Sequence, residues 1–178
     1  LKAAVPALLT VIVPRHPARG AAIGQAIAAT GLNVVLRSQE RLPSATTDIY
    51  VADTMGEMGL FYRLAPIVFM GGSLVAHGGQ NPIEAVKLGA AIVHGPHVFN
   101  FAEVYHALDQ AGGALPVADE AALVRQLGYL LGNRAARHQV LTAAEDVVAD
   151  LGGALQRTLA ALQPYLLQLR FESSARDA

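Results

Sequence analysis

The chain has no cysteine in 178 residues, which removes disulfides and thiolate metal sites and suits a reducing compartment. It also lacks a charge surplus: 13 Lys and Arg against 14 Asp and Glu give a formal net charge of −1. Nothing electrostatic therefore draws nucleic acid as a bulk ligand. Mean hydropathy is high at +0.37, yet no 18-residue stretch is free of polar residues or glycine, which argues against a membrane-spanning helix. No basic segment with a cleavage site opens the chain, and neither does an initiator Met. Starting at Leu1-Lys2, the sequence is expected to be a soluble piece of something longer. There is no G-x-S-x-G, no Walker motif and no G-x-G-x-x-G after the first strand, against hydrolase, P-loop and ordinary dinucleotide readings. The six histidines (His16, His77, His94, His97, His106 and His138) are not at metal-ligand spacing, so neither metal nor cofactor is expected.

What is present is apolar residue, 53% of the chain, enough for one well-buried domain. It falls into short β-branched runs, as in parallel strands covered on both faces. Six such runs are expected as strands: Leu8–Val13, Asn33–Arg37, Asp48–Ala52, Pro66–Met70, Ala90–His94 and Ala114–Val117. Helical signals lie between and after them. Pro17–Thr30 carries Ile23 and Ile27 on one face and stops at Gly31, and further helices are expected over Gly56–Ala65 and Pro82–Leu88. Asn100 is placed to cap a helix reaching Ala111. From Asp119 the pattern is helical, with breaks near Gly132-Asn133 and Gly152-Gly153. Strands separated by helices imply right-handed crossovers, hence an α/β fold with a Rossmann-like, doubly wound parallel sheet of about six strands and a helical C-terminal tail. One domain over 1–169 is expected, with 170–178 frayed. In the tail, Leu155, Leu159, Leu162 and Leu166 recur at about helical spacing, an apolar stripe suited to packing on another domain.

Chemistry concentrates at glycine-punctuated junctions between strand and helix, the usual anion-binding position in open α/β sheets. Asn81-Pro82-Ile83-Glu84 reads as a helix start, with Asn81 as cap, Pro82 at the first helical position and Glu84 completing a capping box. That account needs no ligand. The preceding Gly71-Gly72-Ser73 and Gly78-Gly79 add a second one, because glycine lets the backbone approach a phosphate and aim N–H groups at it. Glu84 would repel a bare phosphate but can accept hydrogen bonds from two ribose hydroxyls. Thr54-Met55-Gly56-Glu57 is likewise a T-x-x-E capping box, and Gly56 and Gly59 cost helix stability unless something approaches the backbone there. Asp53 ends a strand, where a carboxylate serves a helix dipole or a ligand. In Pro14-Arg15-His16-Pro17 two prolines stiffen the turn after the first strand. They fix Arg15 and His16 at the carboxyl edge of the sheet, where arginine can grip a phosphate or sugar carboxylate.

Taken in order, Pro-Arg-His-Pro, Asp-Thr-Met-Gly-Glu-Met-Gly-Leu-Phe-Tyr, Gly-Gly-Ser-Leu-Val…His-Gly-Gly-Gln-Asn-Pro-Ile-Glu and Gly-Pro-His-Val-Phe-Asn-Phe resemble the C-terminal half of the 3-deoxy-D-manno-oct-2-ulosonic acid (Kdo) transferases. These are lipopolysaccharide-building glycosyltransferases of the GT-B type. The resemblance runs from Leu1 to about Leu167. It implies the donor-binding half of a two-domain enzyme that moves Kdo from CMP-Kdo to a lipid A precursor, with inversion and without a metal, at the cytoplasmic face of the bacterial inner membrane. By that resemblance Arg15 and His16 lie beside the CMP, and Thr54, Met55, Gly56 and Glu57 line its pocket. Gly71, Gly72 and Ser73 frame the phosphate, and Asn81 and Glu84 meet phosphate and ribose. The family's general base is a glutamate of an N-terminal acceptor domain, so no catalytic residue is expected here, and the fragment should bind donor weakly and transfer nothing. Ala76 stands where the family commonly has proline, and Ala85-Val86 replaces Pro-Ala, which alters backbone rigidity and deletes no polar group. Two other readings stay open: half of a UDP-sugar epimerase or UDP-dependent GT-B transferase, and a non-catalytic nucleotide-binding module on the same scaffold.

Overall fold

The computed structural model describes residues 1–153, 160–163 and 165. The segment 170–178, the domain limit at Leu169, and Leu155, Leu159 and Leu166 of the tail stripe lie outside the described residues; Leu162, the fourth leucine, is exposed. Six short strands form: β1 (Thr10–Ile12), β2 (Val34–Leu36), β3 (Ile49–Val51), β4 (Ile67–Met70), β5 (Ala91–His94) and β6 (Ala114–Pro116). Every pairing is parallel, with Ile12 and Leu36 both level with Val51, and Met70 and Pro116 both level with His94. The hydrogen-bonded order is β1-β3-β2 in one sheet and β4-β5-β6 in the other. The single sheet of six expected from the pattern is thus two sheets of three, because no ladder joins β1 to β4.

The helices are α1 (Gly20–Ala28), α2 (Met58–Leu64), α3 (Ile83–Lys87), α4 (Ala102–Ala111), α5 (Glu120–Gly132) and α6 (Arg134–Leu151). Pro17 opens a 3₁₀ turn, Pro17–Arg19, ahead of α1, so that the α-helix itself starts three residues later than the pattern suggests. The β2–β3 crossover has no α-helix, only a 3₁₀ turn at Arg37–Gln39 ended by Glu40 with φ 55°. The rest of that crossover is held by short polar bonds such as Ser44 N–H to Thr47 Oγ1 at 2.9 Å, since Pro43 and its neighbours offer no helical face. The breaks near Gly132-Asn133 and Gly152-Gly153 are present. Asn133 Oδ1 accepts from Ala136 N–H at 2.9 Å to start α6, as Asp119 does from Ala122 N–H at 2.7 Å to start α5.

Side-chain alternation on the wholly buried β5 builds two cores. Ile92 faces Val86, Tyr105, Leu108, Ala144 and Val148 of α3, α4 and α6, whereas Val93 faces Val117 and Leu130 on the α5 side. The β1-β3-β2 sheet has a smaller core, in which Tyr50 and Ala52 meet Phe61 of α2. The next residue of α2, Tyr62, packs instead on the core of the other sheet. One helix thereby straddles both sheets. No described helix is long and apolar enough to cross a membrane.

Candidate functional site

The loops after β1, β3, β4 and β5 leave the carboxyl ends of parallel strands, where open α/β sheets place ligands. After β1, Arg15 and His16 are both exposed, His16 standing just ahead of the Pro17 turn. After β3, the nearly buried Asp53 accepts from the Ser38 backbone N–H (2.8 Å) and from Ser38 Oγ (2.7 Å). That ties the end of β3 to the turn following β2. Four residues on, Glu57 is gripped by Arg37, whose Nε lies 3.2 and 3.1 Å from the two carboxylate oxygens and whose Nη2 lies 2.7 Å from Oε1. Thr54 Oγ1 donates to the same carboxylate. Hydrogen bonds from Arg37, then from Thr54, hold the Glu57 carboxyl down to about 2, while Glu57 pushes the Arg37 guanidinium above its ordinary value.

This differs from the capping box read in Thr54-Met55-Gly56-Glu57. Helix α2 begins at Met58, with Glu57 in the cap position and its side chain turned to Arg37 rather than to a helix N–H. Gly56 has φ 83° and no heavy atom within 4 Å of where a Cβ would stand. Its glycine serves the left-handed turn and not a close neighbour. Met55 beside it is exposed.

After β4, Gly71 is exposed and Gly72 half-buried, while Ser73 is fully buried. Ser73 Oγ donates to Met70 O and accepts from Gly95 N–H (2.8 Å), and Ser73 O accepts from His97 N–H (2.9 Å). The hydroxyl clamps the end of β4 to the end of β5, and Gly71, Val75, Ala76 and His77 are the exposed residues of this loop. Gly78 combines φ 91° with a neighbour so near that a Cβ would stand 2.3 Å from Asn100 Nδ2. Asn100 does not cap α4, which starts at Ala102. It fastens the glycine loop, through its N–H to Gly78 O (3.1 Å) and its Nδ2 to His77 O (3.3 Å).

Helix α3 starts at Ile83 with Pro82 in the cap position, one residue later than expected; Asn81 stands just before the cap, and its Oδ1 accepts from Ile83 N–H at 3.0 Å as an Asx turn. The reciprocal half of the capping box is not made: among the described residues the exposed Glu84 carboxylate has no hydrogen-bond donor. It lies close enough to Tyr62 that, after burial, its charge is the second cause raising that hydroxyl's pKa. A cleft of about 460 Å³ brings Asn81 and Glu84 together with Gly59, Arg63 and Lys87, between α2 and α3. It joins two of the motifs; Arg15, His16, Thr54, Met55, Gly56, Glu57 and Gly71, Gly72 and Ser73 do not line it.

Sequence reasoning passed over three supports of this edge. Arg37 directly follows an apolar strand, which was the available signal for a cation at the sheet edge. Tyr105, 1% exposed, donates to Gln80 O at 2.7 Å and so holds the residue preceding Asn81; burial raises its hydroxyl. His94, at the end of β5, places Nε2 2.9 Å from Asp109 Oδ1 and Nδ1 2.8 Å from Gly95 O, with the Tyr105 ring centred 4.5 Å away. Nothing local in the sequence announces those pairings.

No protein-family model matches the chain. A 3-deoxy-D-manno-octulosonic acid transferase of Haemophilus influenzae is 38% identical over 167 residues, covering 93% of this chain and 39% of the relative. A protein of the same name from Bordetella pertussis is 36% identical over 166 residues, 93% of this chain and 39% of the relative. A probable mitochondrial 3-deoxy-D-manno-octulosonic acid transferase of Arabidopsis thaliana is 35% identical over 154 residues, 84% of this chain and 34% of the relative. The chain thus spans about two fifths of the length of the bacterial relatives. Among solved structures, the C-terminal CMP-Kdo binding domain of WaaA from Acinetobacter baumannii superposes with a TM-score of 0.79 at 30% identity, over 83% of this chain and 77% of that one.

Proposed function

The chain belongs to the 3-deoxy-D-manno-octulosonic acid transferase family, and we propose that it is the half of such a glycosyltransferase that holds the sugar donor, CMP-Kdo. The observation that carries this reading is the α2–α3 cleft, where Glu84 offers an unspent carboxylate in the first turn of α3. A carboxylate with free lone pairs can accept from two ribose hydroxyls at once. In this reading the backbone N–H groups of Gly71 and Gly72 supply donors for the single phosphate, and Arg15 and His16 supply a cation and a ring. Thr54, Met55, Gly56 and Glu57 lie outside the cleft and meet the donor from the loop after β3, where Arg37 and Thr54 hold the Glu57 side chain. Ser73 and Asn81 shape the two loops.

In the full-length protein this half works with an N-terminal acceptor domain. That domain supplies a glutamate general base and binds the lipid A precursor at the cytoplasmic face of the inner membrane. Transfer proceeds with inversion and needs no metal or other cofactor. The chain alone binds CMP and transfers nothing. Calorimetric titration with CMP and UMP tests the reading. CMP binds more tightly than UMP, and Glu84→Ala weakens CMP at least tenfold, about 1.4 kcal/mol, without moving the melting temperature. Equal affinity for the two nucleotides, or an unchanged CMP isotherm in the variant, overturns it.

A further inference from the structure

The loop between β4 and α3 holds hydrogen-bonding groups that the fold leaves unused. After Met70 ends β4, the chain turns throughout from Gly71 to His77 before Gly78 and Gly79 lead on toward α3. The framework of this turn is closed by its own bonds. Ser73 Oγ donates to Met70 O and accepts from Gly95 N–H, and Gly72 O accepts from Gly79 N–H at 3.2 Å. The N–H groups of Gly71 and Gly72, by contrast, have no hydrogen-bond acceptor among the described residues. Successive free N–H groups in a turn are suited to an anion. No acidic residue stands from Gly71 to Pro82 to oppose one.

His77 closes the same turn, and it is the one titratable side chain in that stretch. A Cβ built on Gly72 would stand 3.5 Å from His77 Cβ and 3.6 Å from Cδ2, the ring carbon bonded to Nε2. The imidazole therefore lies along Gly72. The residue is exposed, and neither ring nitrogen has a hydrogen-bond partner among the described residues. Other histidines differ: His94 engages Gly95 O and Asp109, and His138 engages Thr142 Oγ1. The backbone at His77 is fixed on both sides, its N–H donating to Val75 O at 2.6 Å and its carbonyl accepting from Asn100 Nδ2 at 3.3 Å. Only the rotation of one ring is left to be ordered by a ligand.

We propose that His77 is a phosphate-binding residue of the donor site, donating a ring N–H to a phosphate oxygen that Gly71 and Gly72 hold through their backbone N–H groups. The proposal rests on the donor-binding reading for the nucleotide that brings the phosphate. An imidazole carries at least one N–H in either protonation state, so the contact does not depend on a charged ring. Its consequence falls on the leaving group. When Kdo is transferred, the bond from its anomeric carbon to the phosphate oxygen breaks, and the electron pair stays on that oxygen. The acceptor hydroxyl oxygen forms the new bond, and its proton passes to the general base of the acceptor domain. The phosphate goes from one negative charge in the donor to two in CMP. Hydrogen bonds to an ionised oxygen are the stronger ones, so His77 favours CMP as it departs over the intact donor.

NMR titration of the ¹⁵N-labelled chain with inorganic phosphate, CMP and cytidine tests the proposal. Phosphate and CMP shift the Gly71 and Gly72 amide signals and the His77 ring nitrogens, and cytidine leaves them in place. His77→Ala weakens CMP about tenfold, the worth of one hydrogen bond to a charged group, and cytidine by no more than about twofold. His77→Gln keeps an N–H donor and regains part of the CMP affinity, with melting temperatures confirming that both variants fold. Equal weakening of CMP and cytidine in His77→Ala means that the ring only props the loop, and overturns the proposal. So does an unchanged CMP affinity, or inorganic phosphate that moves none of these signals. The donor reading fails in a different way. Phosphate shifts that vanish in His77→Ala, together with CMP binding no better than UMP, leave the phosphate site standing and overturn the cytidine nucleotide as its carrier.

Discussion

At the scale of single residues, the Arg37–Glu57 pair makes the sharpest claim. The folded-state pKa of Glu57 is depressed from 4.5 to about 2, so its contribution to stability is present in full above the unfolded value and is lost as pH falls from about 4.5 through 2. Carboxylate titration by NMR should therefore place Glu57 near 2 in the wild type and back toward its ordinary value in Arg37→Gln. Arg37→Lys should restore the depression only partly, because an ammonium cannot grip both oxygens as the guanidinium fork does. An unchanged Glu57 titration in Arg37→Gln would contradict the pairing. The pair also shows where sequence reading stops. Asn81 was legible as part of a helix start, though not as its cap, since an Asn side chain and an N–H two residues on belong to one local pattern. Glu57 looked equally local, yet its partner lies twenty positions earlier in the 3₁₀ turn after β2, and no spacing rule connects them.

At the scale of elements, the same division separates helices from sheets. Helix ends were readable only in part: the start of α5 at Asp119 and the break at Gly132-Asn133 stand where the pattern put them, with Asp119 and Asn133 as the capping side chains, whereas Asn100 and the Thr54–Glu57 box turn to partners remote in sequence instead of capping. Removing the cap with Asn133→Ala should cost about 1 kcal/mol, visible as a lower melting temperature with the fold intact. The sheet was legible as six parallel strands but not as two groups of three, because pairing depends on which strand lies alongside and not on the apolar run itself. Ser73 marks the most demanding join between strands. Its hydroxyl takes the Gly95 N–H in a fully buried position, and the backbones pass so closely there that a Cβ on Gly95 would stand 2.3 Å from Ser73 O. Ser73→Ala leaves that N–H without a partner and should cost about 1–3 kcal/mol by chemical denaturation. Gly71→Ala, on the exposed part of the same loop, should cost much less stability. Equal losses in the two variants would show that the clamp does not hold β4 to β5.

For the molecule as a whole, the two sheets differ in how much apolar surface stands behind them. The β4-β5-β6 sheet has a core on each face, built on Ile92 and Val93 with four of the helices around it. The β1-β3-β2 sheet rests on Tyr50, Ala52 and Phe61, with half-buried valines at its margin. Free energies of local opening follow such differences in buried contact, so the Ile49–Val51 amides should exchange through a lower-energy opening than the Ala91–His94 amides. Phe61→Ala sharpens the contrast, since truncating a buried phenylalanine costs about 3–5 kcal/mol and this ring belongs to the smaller core. The expected outcome is accelerated exchange across β1, β2 and β3, with β5 keeping most of its protection because Tyr62 still anchors α2 to the larger core. Loss of protection in both sheets together, with one sharp denaturation transition, would instead mean that α2 couples them into a single cooperative unit. In that case the straddling helix, and not the size of each core, governs how the edge that carries Arg15, Gly71 and Glu84 is held in place.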